Sequence, residues 1–356
     1  MKLLRLATTL NPTSAPYNQF SLGFKAIIDQ TYCSLLKNDV PIDNSINGFH
    51  ADGSIFKMIK LVRKLVAQNN YDVVHIHSGV TGIILLIAIF TLRISLLQKT
   101  VFTLHNSWHI IKSRNQILDF IVMLASRKIC TCGQSSKDSI PNKINFFTGK
   151  KTIAVVNGFD HHRIDSVANK NSAIDHFNSS SKVKILCVGA LNNTKNQITV
   201  LEVLKEIKIE AEVIFLGDGI NKEALIDFSK ELDSCTKIFF KGRVSRNLTI
   251  EHMLEADVSI SLSKGEGLPI AVLESMYAGC FQILSKIPPH KEISPPSNRC
   301  IFVHASNKQE IASSLHSITD NISSIRAGRA TSCEYSINSF SLDNMLKEYV
   351  KVYNSL

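Results

Sequence analysis

Short β-branched runs alternate along this chain with longer stretches whose apolar residues recur every three or four positions, the pattern of parallel sheets joined by helical crossovers. In the first half, the runs at 3–9, 73–77, 100–104, 128–131 and 152–156 read as strands. In the second half, those at 184–189, 211–216, 237–241, 257–262, 281–284 and 300–303 do so. Between the halves, residues 165–182 are polar, serine-rich and aperiodic, as expected of a linker. The pattern therefore predicts a first domain over 1–165, a linker over 166–182 and a second domain over 183–335. A last helix over 336–356 is expected to pack back toward the first domain, with Leu342, Met345, Leu346, Tyr349 and Val350 at helical spacing.

Two helical stretches of the first half stand out. Residues 83–92 are almost wholly apolar but stop at Arg93, far short of the ~20 residues a membrane span needs, so a buried core helix is expected. Residues 54–68 are amphipathic: Lys57, Lys60, Arg63 and Lys64 form a basic stripe, and Ile55, Met58, Ile59, Val62, Leu65 and Val66 are expected to cover the core side. Charge sharpens this picture. The chain of 356 residues carries a net +10, and residues 1–165 hold 19 Lys and Arg against 9 Asp and no Glu, whereas the remainder holds 21 against 21. A basic half beside a neutral one points to an anionic partner, whether a membrane surface, nucleic acid or a phosphorylated acceptor; four cations near an anionic leaflet could sustain reversible attachment. Nucleic acid is the weaker choice and is not expected as a partner, because no recognition motif accompanies the charge. With 44% apolar residues and only 16 Gly and 9 Pro, disorder is excluded. The amino terminus lacks a secretory pattern and the eight cysteines are scattered, so a cytoplasmic protein with reduced thiols is expected.

The chemistry concentrates at 265–280, GEGLPIAVLESMYAGC, after a strand-like run. Pro269 fits the first turn of a helix and Gly279 its end. A helix opening at the end of a strand presents backbone N–H groups and a positive dipole end, a phosphate site, with Leu268, Pro269 and Ile270 at its mouth. Glu266 and Glu274 flank that site and suit hydroxyl groups, which donate strong hydrogen bonds to carboxylates. His75 and His77 alternate on one strand and read as structural. GDGINK at 217–222 lacks the third glycine of a dinucleotide fingerprint and reads as a tight turn.

The order of motifs resembles the retaining glycosyltransferases of family 4. The resemblance rests on YDVVHIHSG at 71–79, TVFTLHNSW at 100–108, AVVNGFD at 154–160, ILCVGALNNTKN at 185–196, VIFLGDG at 213–219, FKGRV at 240–244 and the E-x7-E segment. It implies an α/β protein of the GT-B fold, two Rossmann-like domains facing across a cleft, with the nucleotide-sugar donor held mainly by the second and a saccharide acceptor by the first. Glu266 resembles the family's donor-sugar carboxylate, Glu274 its ribose carboxylate, Lys195 its diphosphate lysine and His105 the histidine facing the donor sugar. Gly189 matches as well, but Ala190 stands where most members have arginine, and Arg243 is the expected substitute cation. No D-x-D pair is present, so no metal and no other cofactor is expected beyond the nucleoside-diphosphate sugar as co-substrate. The reading is a hexosyltransferase acting with retention on a lipid-linked saccharide, in bacterial surface polysaccharide synthesis such as that of O-antigen, lipopolysaccharide, capsule or exopolysaccharide. Its place would be peripheral, on the inner face of the cytoplasmic membrane. A sugar-nucleotide epimerase and a non-catalytic partner subunit are the alternatives.

Overall fold

The computed structural model describes residues 1–9, 16–25, 27–37, 47–170, 182–232 and 235–356. They form two compact units, Met1–Gly158 with Leu342–Leu356, and Phe159–Ser341. The division falls earlier than 165. Residues after Phe159 already fold as the helix His161–Ala168, capped by the Asp160 carboxylate, and its Ile164 and Val167 are buried. Of the expected linker, residues 166–168 are thus helical, while 171–181 lie outside the described residues. The terminal segment is shared out: helix Arg329–Phe340 belongs to the second unit and helix Leu342–Asn354 to the first. There Leu342, Met345, Leu346, Tyr349 and Tyr353 pack with Leu3, Phe24, Val73 and Val101.

The first unit holds a seven-stranded parallel sheet: β1 (Lys2–Ala7), β2 (Asp29–Ser34), β3 (Asn47–His50), β4 (Val73–Ile76), β5 (Thr100–Leu104), β6 (Lys128–Thr131) and β7 (Thr152–Ala154), in the order β3-β2-β1-β4-β5-β6-β7. Two of these, β2 and β3, carry no hydrophobic signature in the sequence. β2 reads DQTYCS and buries polar Gln30, Thr31 and Ser34, and β3 reads NGFH and is an exposed edge. The second unit holds β8 (Val183–Val188), β9 (Ala211–Leu216), β10 (Thr236–Gly242), β11 (Val258–Ser261), β12 (Phe281–Ser285) and β13 (Cys300–Val303), all parallel, ordered β10-β9-β8-β11-β12-β13. Each unit is Rossmann-like. Strand order reverses direction between β1 and β4 in one and between β8 and β11 in the other, and ligands of such sheets bind beyond the strand ends at that reversal.

Helices Ile55–Gln68, Gly79–Ile89 and Ser113–Ala125 pack side by side on one face of the first sheet. Two expectations are corrected here. The 83–92 stretch is only half a core helix: Ile84, Leu85, Ala88 and Ile89 are buried, but Ile87, Phe90 and Leu92 are exposed, because a helix lying on a sheet covers only one of its sides. Ile55 is likewise exposed, since it opens its helix ahead of the first turn that meets the core at Met58. No helix among the described residues is long and apolar enough to cross a membrane.

The middle helix approaches its neighbour closely because Gly82 has no side chain: a Cβ there would overlap the methyl groups of Val122. Gly82→Ala therefore sets two effects against each other. Helix propensity gains ~1 kcal/mol, but overpacking a β-branched neighbour costs ~1–3 kcal/mol. The crowding is expected to win, lowering the melting temperature by a few degrees, at roughly 2–4 °C per kcal/mol for a unit of this size. A raised melting temperature would contradict the close contact.

Candidate active site

In the second unit, the loops after β8 and β11 meet at the reversal of strand order. β8 leads into Gly189, whose φ of 144° and missing Cβ leave room for Lys195, with Cε 3.3 Å from where a Cβ would stand. Asn192 Oδ1 accepts from the backbone N–H of Lys195, and Asn196 opens the helix Gln197–Glu206 in a left-handed conformation. The turn thus aims Lys195 across the strand ends. Its Nζ donates to Oε1 of Glu266 at 2.5 Å. Ser263 Oγ donates to the same oxygen at 2.6 Å, so Glu266, buried in the loop after β11, has its position fixed from two sides. Ser285 Oγ in turn donates to the Ser263 carbonyl and contacts the buried His290 ring. Burial holds that imidazole down to about 4, so it is neutral behind the carboxylate.

Helix Ile270–Tyr277 follows at once, with Leu268 buried and Pro269 at its cap position rather than inside its first turn. Glu274 is buried within this helix, with one oxygen paired to Arg246 and the other without a partner. Arg246 is a candidate site residue that the sequence reading did not single out. The expected cation, Arg243, sits exposed on the segment after β10, whereas Arg246 opens the next helix, Arg246–Glu255, and is drawn in to Glu274. The signal was available in the R-V-S-R spacing: Ser245 caps that helix through the N–H of Leu248, and this turns the residue after it inward. Burial, with the charge of Arg163 adding to it, lowers the Arg246 guanidinium to about 10.

The first unit builds a different site. β1 carries Arg5, which is wholly buried, and its Nη1 donates to Nδ1 of His75 at 2.9 Å and more distantly to Nε2 of His77 and the Tyr353 hydroxyl. A guanidinium only donates, so those two ring nitrogens must be acceptors. His77 then carries its proton on Nδ1 and donates it to Nε2 of His105 at 3.0 Å, at the end of β5. His105 Nδ1 is left to donate toward Cys132 Sγ, 3.8 Å away. Burial is the main cause holding all three rings neutral: His105 is lowered to about 4, and His75 and His77 fall well below the usual imidazole range. The thiols are all free.

Of the basic stripe, Lys57, Lys60 and Lys64 are exposed. Arg63 is half-buried and donates to the Ala88 carbonyl and Thr91 Oγ1, so it ties two helices together instead of standing free. Among the described residues, one group has the donor atoms for a metal ion: His161, His162 and Asp165, whose ligand atoms lie within 4.8 Å of one another at the start of helix His161–Ala168. Asp165 already accepts from the Tyr277 hydroxyl at 2.7 Å.

Residues 169–327, a stretch within the second unit, match the family model of glycosyl transferases group 1. The chain is 28% identical over 251 residues to the capsular polysaccharide biosynthesis glycosyltransferase CapH of Staphylococcus aureus, covering 67% of this chain and 65% of that one. It is 25% identical over 164 residues to an N-acetylgalactosamine-N,N'-diacetylbacillosaminyl-diphospho-undecaprenol 4-alpha-N-acetylgalactosaminyltransferase of Campylobacter jejuni, covering 45% of this chain and 42% of that one. Both matches thus span less than two thirds of the relative's length. Among solved structures, Anabaena HepE in complex with UDP and glucose superposes over 100% of both chains with a TM-score of 0.80 at 14% identity. The fold is of the GT-B class expected from the sequence, two Rossmann-like domains with parallel sheets.

The buried neutral histidines set the sign of the acid response. His75, His77, His105 and His290 each have a folded pKa below the unfolded value near 6.5, so the unfolded chain takes up protons first as pH falls. Their contribution is complete above about 6.5 and is lost progressively toward 4. Asp119, raised to about 6 by burial, works in the opposite direction but alone. The melting temperature is expected to fall between pH 7 and pH 5; an unchanged or rising value would contradict neutral burial of these rings.

Proposed function

We propose that this protein is a retaining hexosyltransferase that moves a sugar from a nucleoside-diphosphate sugar to a hydroxyl of a lipid-linked saccharide, in bacterial surface polysaccharide synthesis of the O-antigen, lipopolysaccharide or capsule kind. The observation that carries this reading is the Lys195–Glu266 pair at the reversal of the second sheet, with Glu274 buried on the helix that begins there. Lys195 is the cation for the leaving diphosphate, where charge develops in the transition state. Glu266 accepts hydrogen bonds from the transferred sugar, and Glu274 from the ribose. Arg246, already in contact with Glu274, supplies the second cation that Ala190 lacks. His105, held neutral by burial, presents an uncharged imidazole to the sugar rather than an imidazolium. The departing phosphate takes the acceptor's proton on the same face, so configuration is retained. The name of the Campylobacter relative, with its diphospho-undecaprenol acceptor, supports a lipid-linked saccharide, and the exposed Lys57, Lys60 and Lys64 support peripheral attachment at the inner membrane face.

The central test is Glu266→Gln. Loss of a charge-assisted hydrogen bond of about 1.5–3 kcal/mol should slow transfer roughly 10- to 100-fold while the melting curve survives. Near wild-type turnover would overturn the assignment. The chemistry proposed for Lys195 and the helix opening at Ile270 requires no divalent cation, so turnover is expected to persist in excess chelator. Loss of activity that magnesium or manganese restores would show that a metal neutralises the leaving group instead.

A further inference from the structure

The outer surface of the first unit is the wrong polarity for a helix layer facing water. Helix Gly79–Ile89 is apolar on every side, and beyond its buried inner face it turns Ile87 and, at its end, Phe90 outward, the latter 74% exposed. Its neighbour, Ser113–Ala125, exposes Ile117, Ile121 and Leu124, which recur at helical spacing on the side away from buried Val122 and Met123. The next helix in contact, Asn142–Thr148, adds Phe146 at 83% exposure and Phe147, their rings 5.1 Å apart edge to face. Scattered exposed side chains are ordinary, but aromatic and branched residues on the outer sides of three adjoining helices form a patch.

The charges around the patch select its occupant. Lys57, Lys60 and Lys64 lie exposed on the adjoining helix Ile55–Gln68, and Arg93, Arg114 and Lys143 are exposed at the ends of the apolar helices. From Val73 to Phe159 the chain has two acids, Asp138 and the buried Asp119. An apolar centre rimmed by cations and nearly free of acids matches an anionic bilayer, where rings and branched chains enter the interface and lysines stay at the headgroups.

We propose that the outer faces of helices Gly79–Ile89, Ser113–Ala125 and Asn142–Thr148 insert shallowly into an anionic lipid surface, so that attachment is apolar as well as electrostatic. This deepens the peripheral attachment proposed above and rests on that reading for its occupant alone, not for the chemistry of transfer. The consequence is a salt response. Attachment by lysines alone is screened away within a Debye length of ~3 Å at 1 M salt, whereas inserted apolar area is not released by salt.

The experiment is co-sedimentation of the full chain with phosphatidylglycerol–phosphatidylethanolamine vesicles at low salt and at 1 M salt, with size-exclusion chromatography of the free protein. Wild type is expected to bind at low salt and to stay largely bound at high salt. The triple variant Phe90→Ser, Ile121→Ser, Phe146→Ser, made at exposed positions and checked by its melting curve, is expected to bind at low salt and be released at high salt. The variant Lys57→Gln, Lys60→Gln, Lys64→Gln should bind less at low salt, and what binds should resist salt. Complete release of wild type at high salt would overturn insertion while leaving electrostatic attachment standing. Absence of binding at both salts would overturn both. A triple serine variant retained like wild type would show the face is wrongly assigned. A wild-type dimer that the serine variant converts to monomer would show that a second copy covers the patch.

Discussion

A guanidinium buried without a carboxylate is the constraint around which the first unit is organised. Arg5 sits on β1, an inner strand of the sheet, fully removed from water, and burying an ion costs several kcal/mol unless its donors are satisfied. Neutral groups take up Nε and Nη1, namely Gln30 Oε1 from β2 at 2.9 Å, His75 and His77 from β4 and its end, and Tyr353 from the terminal helix, while Nη2 is buried without a hydrogen-bond partner and the rings of Phe20 and Phe24 lie about 5 Å from the cation. Each partner is held where it is by the need of that one cation. Gln30 of β2, the two alternating histidines and Tyr353 of the terminal helix thus share one buried cation. Because the cation can only donate, it also orders the protons as far as His105 at the strand ends.

The second unit solves a related problem with pairs. Lys195 with Glu266 and Arg246 with Glu274 both bury charge at the end of a parallel sheet, and both pairs join a loop or helix after one strand to the segment after another. Such pairs contribute little net stability, because desolvation consumes much of the attraction. What they contribute is position: each cation aims its carboxylate, the condition for electrostatic stabilisation that needs no reorganisation. The remaining acceptor capacity is visible in Glu274, one of whose oxygens is buried with no protein donor.

The same unit that holds Arg5 inside turns an apolar surface outward. A Rossmann-like sheet needs only one side of each crossover helix, so the composition of the other side is free to serve a different surface. In the second unit that freedom is spent on ordinary charge: Lys205 with Glu231 and Lys230 with Asp227 are exposed pairs. In the first it is spent on Ile87, Phe90, Ile117 and Phe146.

Periodicity determined much of this protein without help. The strands with β-branched runs, the helix at 54–68 and the E-x7-E segment after a strand were legible because hydrophobic burial and helix capping act over a few residues, and those residues are neighbours in the chain. β2 and β3 were not, since one is stabilised by polar partners from distant strands and the other has nothing to bury. Tertiary structure alone decided that Arg246 rather than Arg243 meets Glu274, that Arg63 is spent between two helices, that half of 83–92 faces outward and that the units divide at Gly158. Each of these depends on which of several equivalent side chains a long-range contact selects, and a hydrophobic pattern gives the side of a helix without saying what, if anything, lies against it.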